Sequence, residues 1–244
     1  MSVKCFVINL KKDTERLEHI SNELNKLGLD YEVFEASYGK ELDAAFINQC
    51  RQEDELLFNL KGNVKVKLLG KLSLSEIGCA LSHLRVYQHV IDCGLDKALI
   101  VEDDICLKPQ LKLALDNLDK IKDSWDVVNF SIHKGLKDLW FSKKYYFADG
   151  MYFKRAGLHN SYLNARFNAR RIIGTTACYV VTKEACQKLI NLGYPIRMPS
   201  DFLLGMLAFN HLKTFRAHSI GDYIKDLNIE SSIGRRSSNI LVRV

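Results

Sequence analysis

Residues that interrupt regular structure are scarce in this sequence, which has only three prolines and fourteen glycines among 244 residues. Because so small a number of prolines and glycines leaves little room for long linkers, we expect one helix-rich domain over residues 1–244 rather than two independent units. The chain is 47% hydrophobic and 26% charged, which is typical of a globular protein with a sizeable core. Disorder and coiled coil are excluded as descriptions of the whole chain.

Long apolar runs and regular cysteine or histidine motifs are also missing. No segment reaches the roughly 18 consecutive apolar residues of a membrane span, and the apolar stretch near the N-terminus is too short for a signal peptide. The seven cysteines contain no C-x-x-C pair, which favours reduced, buried thiols in a cytoplasmic protein. The histidines contain no H-x-x-x-H pair, so we expect no zinc site.

Neither sign of charge dominates, since 35 basic residues against 29 acidic ones give a net charge of +6. This small excess is compatible with a phosphorylated substrate, a nucleic acid or an acidic membrane surface as partner, and equally with a solvated face that serves solubility alone. The basic residues that stand out late in the chain are Arg155, Arg166, Arg170, Arg171, Arg235, Arg236 and Arg243.

The sequence does contain an alternation of short apolar runs and amphipathic segments. Strands are predicted at residues 3–10, 31–34, 98–101, 125–130 and 177–181. Helices are predicted between Lys11 and Gly28, from a Ser73–Glu76 capping box to Gly94, from Pro109 through Ile121, from Thr182 to Gly193 and over Phe202–Phe209. Residues 40–70 indicate broken helices with a turn at Lys61–Asn63. The alternation predicts an α/β fold with a Rossmann-like, mostly parallel sheet flanked by helices.

In such sheets ligands bind beyond the carboxyl ends of the strands, which makes residues 9–16, 35–38 and 102–105 one candidate site. Its sharpest feature is the triplet Glu102-Asp103-Asp104, directly after an apolar strand. In an extended segment Glu102 and Asp104 point to the same side, and neighbouring carboxylates repel one another unless water or a cation neutralises them. Hard oxygen ligands suit Mg²⁺ or Mn²⁺, and the alternative is a solvated acidic turn.

His83 lies at the border of the apolar stripe of its predicted helix. It either faces the cleft or is a structural histidine of the core, and both interpretations stay open at this point.

Three ordered segments carry a resemblance to a known family: Cys5–Leu10 followed by Arg16, then Glu76–His83, then Leu99–Asp104. Together they resemble the bacterial family 25 glycosyltransferases of lipooligosaccharide biosynthesis, over nearly the whole chain. Ser75 departs from the pattern, in which glycine is expected at the start of the helix. The resemblance implies a GT-A type fold and transfer of a hexose, galactose or else glucose, from a UDP-sugar with inversion.

The same resemblance implies residue roles. Glu102 and Asp104 are expected to bind Mn²⁺ or Mg²⁺ beside the donor diphosphate, and Asp103 is expected to contact the donor. Residues 1–130 then form the nucleotide-sugar-binding half. Its remaining donor-binding residues are expected to be Asn9, Leu10, Arg16, Ala36 and His83.

Residues 131–244 are expected to form the acceptor-binding half with a basic tail. Asp201, in a Pro-x-Asp context, is the candidate catalytic base, with stabilisation of a helix N-terminus as its alternative role and Glu184 and Asp222 as substitute bases. The acceptor is expected to be a lipooligosaccharide or lipopolysaccharide core, with the protein cytoplasmic or peripheral at the inner membrane. The expected acceptor-binding residues are Thr175, Arg170 and Arg171.

Two other functions stay open from the residues alone. A metal-dependent nucleotidyltransferase shares the α/β core and the acidic site, although a Gly-rich phosphate loop is missing. A basic nucleic-acid-binding module fits the sign of the net charge, although the arginines are not interleaved with aromatic residues, and we expect no nucleic-acid partner.

Overall fold

A computed structural model of the chain describes residues 3–50, 58–60, 64–68, 72–131, 142–157, 175–227 and 241–243. The helices are α1 (Thr14–Lys26), α2 (Ala44–Cys50), α3 (Leu74–Asp92), α4 (Pro109–Asp116), α5 (Lys183–Gly193), α6 (Ser200–Gly205) and α7 (Leu207–Asn210), with short 3-10 helices at Gly39–Glu41 and Leu118–Lys120. The strands are β1 (Lys4–Asn9), β2 (Tyr31–Glu35), β3 (Phe58–Leu60), β4 (Val64–Leu68), β5 (Lys97–Glu102), β6 (Ile105–Leu107), β7 (Val127–Asn129), β8 (Lys144–Ala148), β9 (Met151–Arg155), β10 (Cys178–Thr182), β11 (Thr214–His218), β12 (Ile224–Asp226) and β13 (Leu241–Arg243).

Eight of these strands form one central sheet in the order β2-β1-β5-β10-β7-β11-β9-β8. β1 is parallel to β2 and to β5, and β7 is parallel to β11. β10 and β9 each run antiparallel to both neighbours, so the other six strands share one direction. The predicted α/β fold with a mostly parallel sheet is therefore confirmed. β10, from the second half of the chain, lies between β5 and β7 of the first half.

Helices cover both faces of this sheet, which explains why its central strands are apolar along their whole length. In β1, Cys5 and Val7 pack with α1 and α4 on one face, whereas Phe6 and Ile8 pack with α3, α5 and α6 on the other. Side chains alternate between the faces of a strand, so a strand buried on both faces is continuously apolar.

The predicted helix boundaries are confirmed where local chemistry sets them. The Ser73 hydroxyl accepts a hydrogen bond from the Glu76 amide, and the Glu76 carboxylate accepts one from the Ser73 amide at 2.8 Å, completing the capping box of α3. The chain turns after α1 and α3 at Gly28 and Gly94, whose φ angles are 62° and 66°. These left-handed conformations favour glycine.

Three predicted elements differ from the structure. The helix predicted to reach Ile121 ends at Asp116, where a 3-10 turn follows. The helix predicted over Phe202–Phe209 divides at Met206, because the backbone of that residue (φ −87°, ψ 76°) is not helical. The region 40–70 contains α2 but also β3 and β4, and β4 lies between β3 and β13 in a separate three-stranded sheet. The turn predicted at Lys61–Asn63 lies outside the described residues.

The described cysteines follow the prediction of buried thiols only in part. Six cysteines are described and free; Cys5, Cys178 and Cys186 are buried, as expected, whereas Cys93 is exposed. Burial raises the pKa of the Cys186 thiol to about 12.

In the part of the chain that the structure describes, no helix combines the length and apolar character needed to cross a bilayer.

The loop after β2 crosses α3 at unusually close range. A Cβ added to Gly78 would lie 2.5 Å from the Ser37 carbonyl oxygen and 2.6 Å from the Gly39 amide nitrogen, both of which belong to the backbone. The Ser82 hydroxyl, one turn along α3, accepts a hydrogen bond from the Ser37 amide at 2.8 Å. Gly78 therefore permits the contact that holds this loop against the helix.

We predict that Gly78→Ala destabilises the protein by about 2 kcal/mol or more, because the obstructing backbone atoms cannot move as a side chain does. The sign of this change in the free energy of unfolding is informative, because replacing glycine by alanine within a helix usually stabilises it, by about 1 kcal/mol. Urea unfolding measures the effect. Gln88→Ala on the exposed face of α3 is the control, and equal stability of the two variants would contradict the prediction.

Candidate active site

The carboxyl ends of β1, β2 and β5 meet at one edge of the sheet. Their registers place Asn9 opposite Glu35 and Ile8 opposite Glu102. Beyond them lies a cleft that is open to solvent. The three segments predicted to form one site contribute Leu10, Asp13, Arg16, Ala36, Ser37, Tyr38, Glu102, Asp103 and Asp104 to its walls, and α3 contributes Ser75, Cys79, Ser82 and His83.

The acidic triplet lines this cleft, although not in the predicted conformation. β5 ends at Glu102, and the next two residues form a tight turn into β6. The expectation that an extended backbone points Glu102 and Asp104 to the same side is therefore wrong, because alternation holds only within a strand. The turn brings all three carboxyl groups to the cleft instead.

Asp103 is held by two residues of the β1–α1 segment. The Asn9 side-chain amide donates to its Oδ2 at 2.6 Å, and the Arg16 guanidinium lies 3.5 Å from its Oδ1. Burial raises the pKa of Asp103, while Asn9 and Arg16 oppose that shift. Asn9 is only 3% exposed and is not part of the cleft wall, so the structure places it behind Asp103 rather than facing the cleft.

His83 forms a hydrogen bond with the side chain of Glu102. The imidazole is 1% exposed, with Nε2 3.1 Å from Glu102 Oε1 and Nδ1 2.8 Å from the Tyr179 hydroxyl. The Thr176 hydroxyl donates to the same Oε1 at 2.5 Å. Because an ionised carboxylate only accepts, His83 donates from Nε2 to Glu102 and accepts at Nδ1 from Tyr179. The two interpretations of His83 thus combine: it is a buried histidine in the wall of the cleft.

Among the described residues, Asp104 has fewer side-chain partners than the other two carboxyl groups of the triplet. Burial, followed by the charges of Glu102 and Asp103, raises its pKa to about 7. Within the described residues it forms no ion pair, whereas Asp103 has Arg16. A hard divalent cation beside Asp104 and Glu102 relieves this repulsion, so these oxygen donors fit Mn²⁺ or Mg²⁺.

Of the residues predicted on the acceptor side, the structure describes Asp201 and Thr175 but not the arginines. Asp201 is 3% exposed at the start of α6, beside Ser200, whose hydroxyl contacts Cys79 Sγ at 3.2 Å and the Thr176 hydroxyl at 3.3 Å. Asp201 is thus next to the cleft network but not on the cleft wall. Thr175 is half-buried, and its hydroxyl accepts from the Ala177 amide. Arg166, Arg170, Arg171, Arg235 and Arg236 lie outside the described residues.

Of the two substitute bases, Glu184 is at the wrong end of the sheet. It is exposed in the first turn of α5, after Thr182, which pairs with Lys97 at the amino end of β5. Because β10 runs antiparallel to β5, that residue lies at the edge opposite the cleft. Asp222 is exposed and follows β11, whose carboxyl end shares the edge of the cleft.

Sequence reasoning missed Cys79 and Tyr179 as parts of this site. Tyr179 lies within an apolar strand and was not distinguishable from core, and its hydroxyl bonds both His83 and, at 2.7 Å, Tyr87. A signal for Cys79 existed, because it precedes His83 by four residues and a helix places such residues on one face.

Comparison with known proteins gives the class of this chain, a glycosyltransferase. The sequence model of glycosyltransferase family 25 (LPS biosynthesis protein) matches residues 2–204. The chain therefore belongs to glycosyltransferase family 25, as its three motifs indicate.

Individual relatives agree at lower coverage. Procollagen galactosyltransferase 2 of Homo sapiens is 32% identical over 127 residues, which are 50% of this chain and 20% of that protein. A glycosyltransferase 25 family member of Anopheles gambiae is 27% identical over 212 residues, 84% of this chain and 32% of that protein. The chain thus spans a fifth to a third of these relatives. A crystal structure of S. aureus TarS 1-349 aligns with 92% of this chain and 60% of its own, at 15% identity and a TM-score of 0.48.

The raised pKa of Asp104 gives a prediction for protein kept free of divalent cations. The folded state holds the Asp104 proton more tightly than the unfolded chain, whose aspartates titrate near pH 4, so stability falls as the pH rises from about 4 to about 7. Asp104→Asn removes the buried charge. We expect its Tm to exceed that of the wild type at pH 8 by roughly 2–4 °C for each kcal/mol of relieved repulsion, and the gap to narrow at pH 5.

Thermal unfolding at both pH values measures this difference. Asp116→Asn is the control, because Asp116 is exposed and pairs with Lys112 on the surface of α4, where an ion pair contributes little. A lower Tm of Asp104→Asn at pH 8 would show that the carboxylate is stabilised rather than strained.

Proposed function

We propose that this chain transfers a hexose, galactose in the first place and otherwise glucose, from a UDP-sugar to a lipooligosaccharide or lipopolysaccharide core acceptor, with inversion. The observation that carries the proposal is the cleft at the carboxyl ends of β1, β2 and β5, where three carboxyl groups and Arg16 meet. Galactose is favoured because the relatives of this family include procollagen galactosyltransferases. The acceptor class is favoured by the family's description as an LPS biosynthesis protein.

The donor occupies the cleft in this proposal. Leu10 and Ala36 offer apolar surface to a uracil base, and Asp103, oriented by Asn9 and Arg16, accepts from a ribose hydroxyl. Glu102 and Asp104 hold Mn²⁺ or Mg²⁺. When bound, such an ion acts as a Lewis acid that stabilises the negative charge of the departing diphosphate.

The transfer step also needs a group that accepts a proton. As the acceptor hydroxyl attacks the anomeric carbon, its proton passes to Asp201, and the bond from the anomeric carbon to the diphosphate oxygen breaks to leave UDP. Thr175, Arg170 and Arg171 bind the acceptor in this scheme. We further propose that the protein acts in the cytoplasm, at the inner membrane surface where a lipid-linked acceptor is presented.

We predict that UDP-galactose with Mn²⁺ raises the Tm by about 5 °C or more when the ligand is present at about 100 times its Kd. UDP-glucose and UDP-N-acetylglucosamine are the competing donors, and Asp104→Ala should abolish the shift while Asp116→Ala retains it. Slow hydrolysis of the donor should release UDP.

Two other results would contradict the proposal. Release of pyrophosphate from a nucleoside triphosphate would support a nucleotidyltransferase instead, and salt-sensitive binding of RNA without any effect of UDP would support a nucleic-acid-binding module.

The role of Asp201 is tested separately. Asp201→Asn should lower the rate of transfer by about 10²–10⁴-fold, the usual contribution of a general base, while donor-induced stabilisation remains. Glu184→Gln is the matched control at the opposite edge of the sheet and should transfer normally. If Asp222→Asn loses transfer and Asp201→Asn does not, Asp222 is the base.

A further inference from the structure

Three metal-ligating side chains of different chemistry meet in the wall of the cleft. The sulfur of Cys79, a ring nitrogen of His83 and a carboxylate oxygen of Glu102 lie within 4.8 Å of one another. Cys79 and His83 are one helical turn apart on α3, and Glu102 approaches from the end of β5. Within the described part of the chain, this is the one place where three such side chains come together.

The donor atoms match a borderline-soft ion better than a hard one. Zn²⁺ and Co²⁺ accept thiolate, imidazole and carboxylate ligands together, whereas Mn²⁺ and Mg²⁺ prefer oxygen. The separation of 3.1 Å between His83 Nε2 and Glu102 Oε1 is close to the roughly 3.4 Å expected between two ligands of a tetrahedral ion with bonds of about 2.1 Å. Three protein ligands leave a fourth position for water or substrate.

Each of the three ligands already has an outer partner that orients it. The Tyr179 hydroxyl is 2.8 Å from His83 Nδ1. In the metal-free protein His83 donates from Nε2 to Glu102; when an ion binds at Nε2, the ring proton moves to Nδ1 and is donated to the Tyr179 hydroxyl. The Thr176 hydroxyl bonds the Glu102 carboxylate, and the Ser200 hydroxyl lies 3.2 Å from Cys79 Sγ. Outer partners of this kind fix ligand geometry in protein metal sites, and here they are built into the buried network.

We propose that Cys79, His83 and Glu102 form a second cation site, selective for Zn²⁺ or Co²⁺ and distinct from the hard-ion position at Asp104. The absence of an H-x-x-x-H pair excludes only a site built on two helical histidines, not this mixed set. Because Glu102 belongs to both positions, an ion on Cys79 and His83 takes that carboxylate from the ion beside Asp104 and inhibits transfer. This inhibition rests on the proposed function; the binding of the ion does not.

Cobalt spectroscopy of the full chain tests the site without any turnover. Titration of metal-stripped protein with Co²⁺ should produce a thiolate-to-cobalt charge-transfer band in the near ultraviolet and the intense visible bands of a tetrahedral ion. Cys79→Ser should remove the thiolate band and weaken binding by roughly tenfold or more. A tetrahedral spectrum without a thiolate band, or no binding, would overturn the proposal.

Cys93→Ser is the matched control. Cys93 directly follows the last residue of α3, and its sulfur lies 3.6 Å from Nε2 of His89, four residues earlier. It is exposed, and among the described residues it belongs to no group of three metal-ligating side chains. This variant should bind Co²⁺ like the wild type. If the thiolate band remains in Cys79→Ser and disappears in Cys93→Ser, the ion is bound by Cys93 and the proposal is wrong.

Thiol protection in the wild-type protein gives a readout that does not depend on any variant folding. Stoichiometric Zn²⁺ should slow iodoacetamide alkylation of Cys79, measured by peptide mass spectrometry, while Cys93 reacts at an unchanged rate. Equal rates for Cys79 with and without Zn²⁺ would contradict the site. If Zn²⁺ binds but hydrolysis of UDP-sugars is absent under all conditions, the proposed function fails and the metal site stands.

Discussion

The mutual repulsion of three adjacent carboxyl groups is the constraint around which this site is built. Each group meets it differently: Glu102 accepts hydrogen bonds from His83 and Thr176, and Asp103 accepts them from Asn9 and Arg16. Asp104 has no comparable support among the described residues, and its pKa rises to about 7. Side chains of the described residues thus support Glu102 and Asp103, whereas the repulsion at Asp104 would be relieved by a cation beside it.

Helix α3 connects this electrostatic arrangement to the core. One face packs against the sheet through residues such as Ile77 and Leu84, while its first three turns carry Cys79, Ser82 and His83 into the cleft wall. Close approach at Gly78 holds the loop after β2 against the same helix. The position of Glu102 and that of the loop after β2 therefore both depend on how α3 packs against the sheet. This packing couples the stability of the fold to the shape of the site.

Local chemistry made much of the fold predictable. Continuous apolar runs predicted the doubly covered strands, and the Ser73–Glu76 capping box predicted the start of α3, because both patterns express interactions between near neighbours. Predictions were wrong where long-range contacts decide. β4 pairs with β3 and with the distant β13, and its lysine–valine alternation was read as part of a broken helix. Glu184 was considered as a base because sequence does not reveal that β10 runs antiparallel.

By itself, the sequence determined the class of fold, the family and the acidic strand end with its neighbouring segments. These follow from periodicity, from capping and from three ordered motifs, which are properties of residues close together in the chain. Only the tertiary structure decided which side chains face each other: that Asn9 supports Asp103 from 94 residues away, and that Tyr179 orients His83 across 96. Those contacts are set by strand order and helix seating, so no local pattern encodes them.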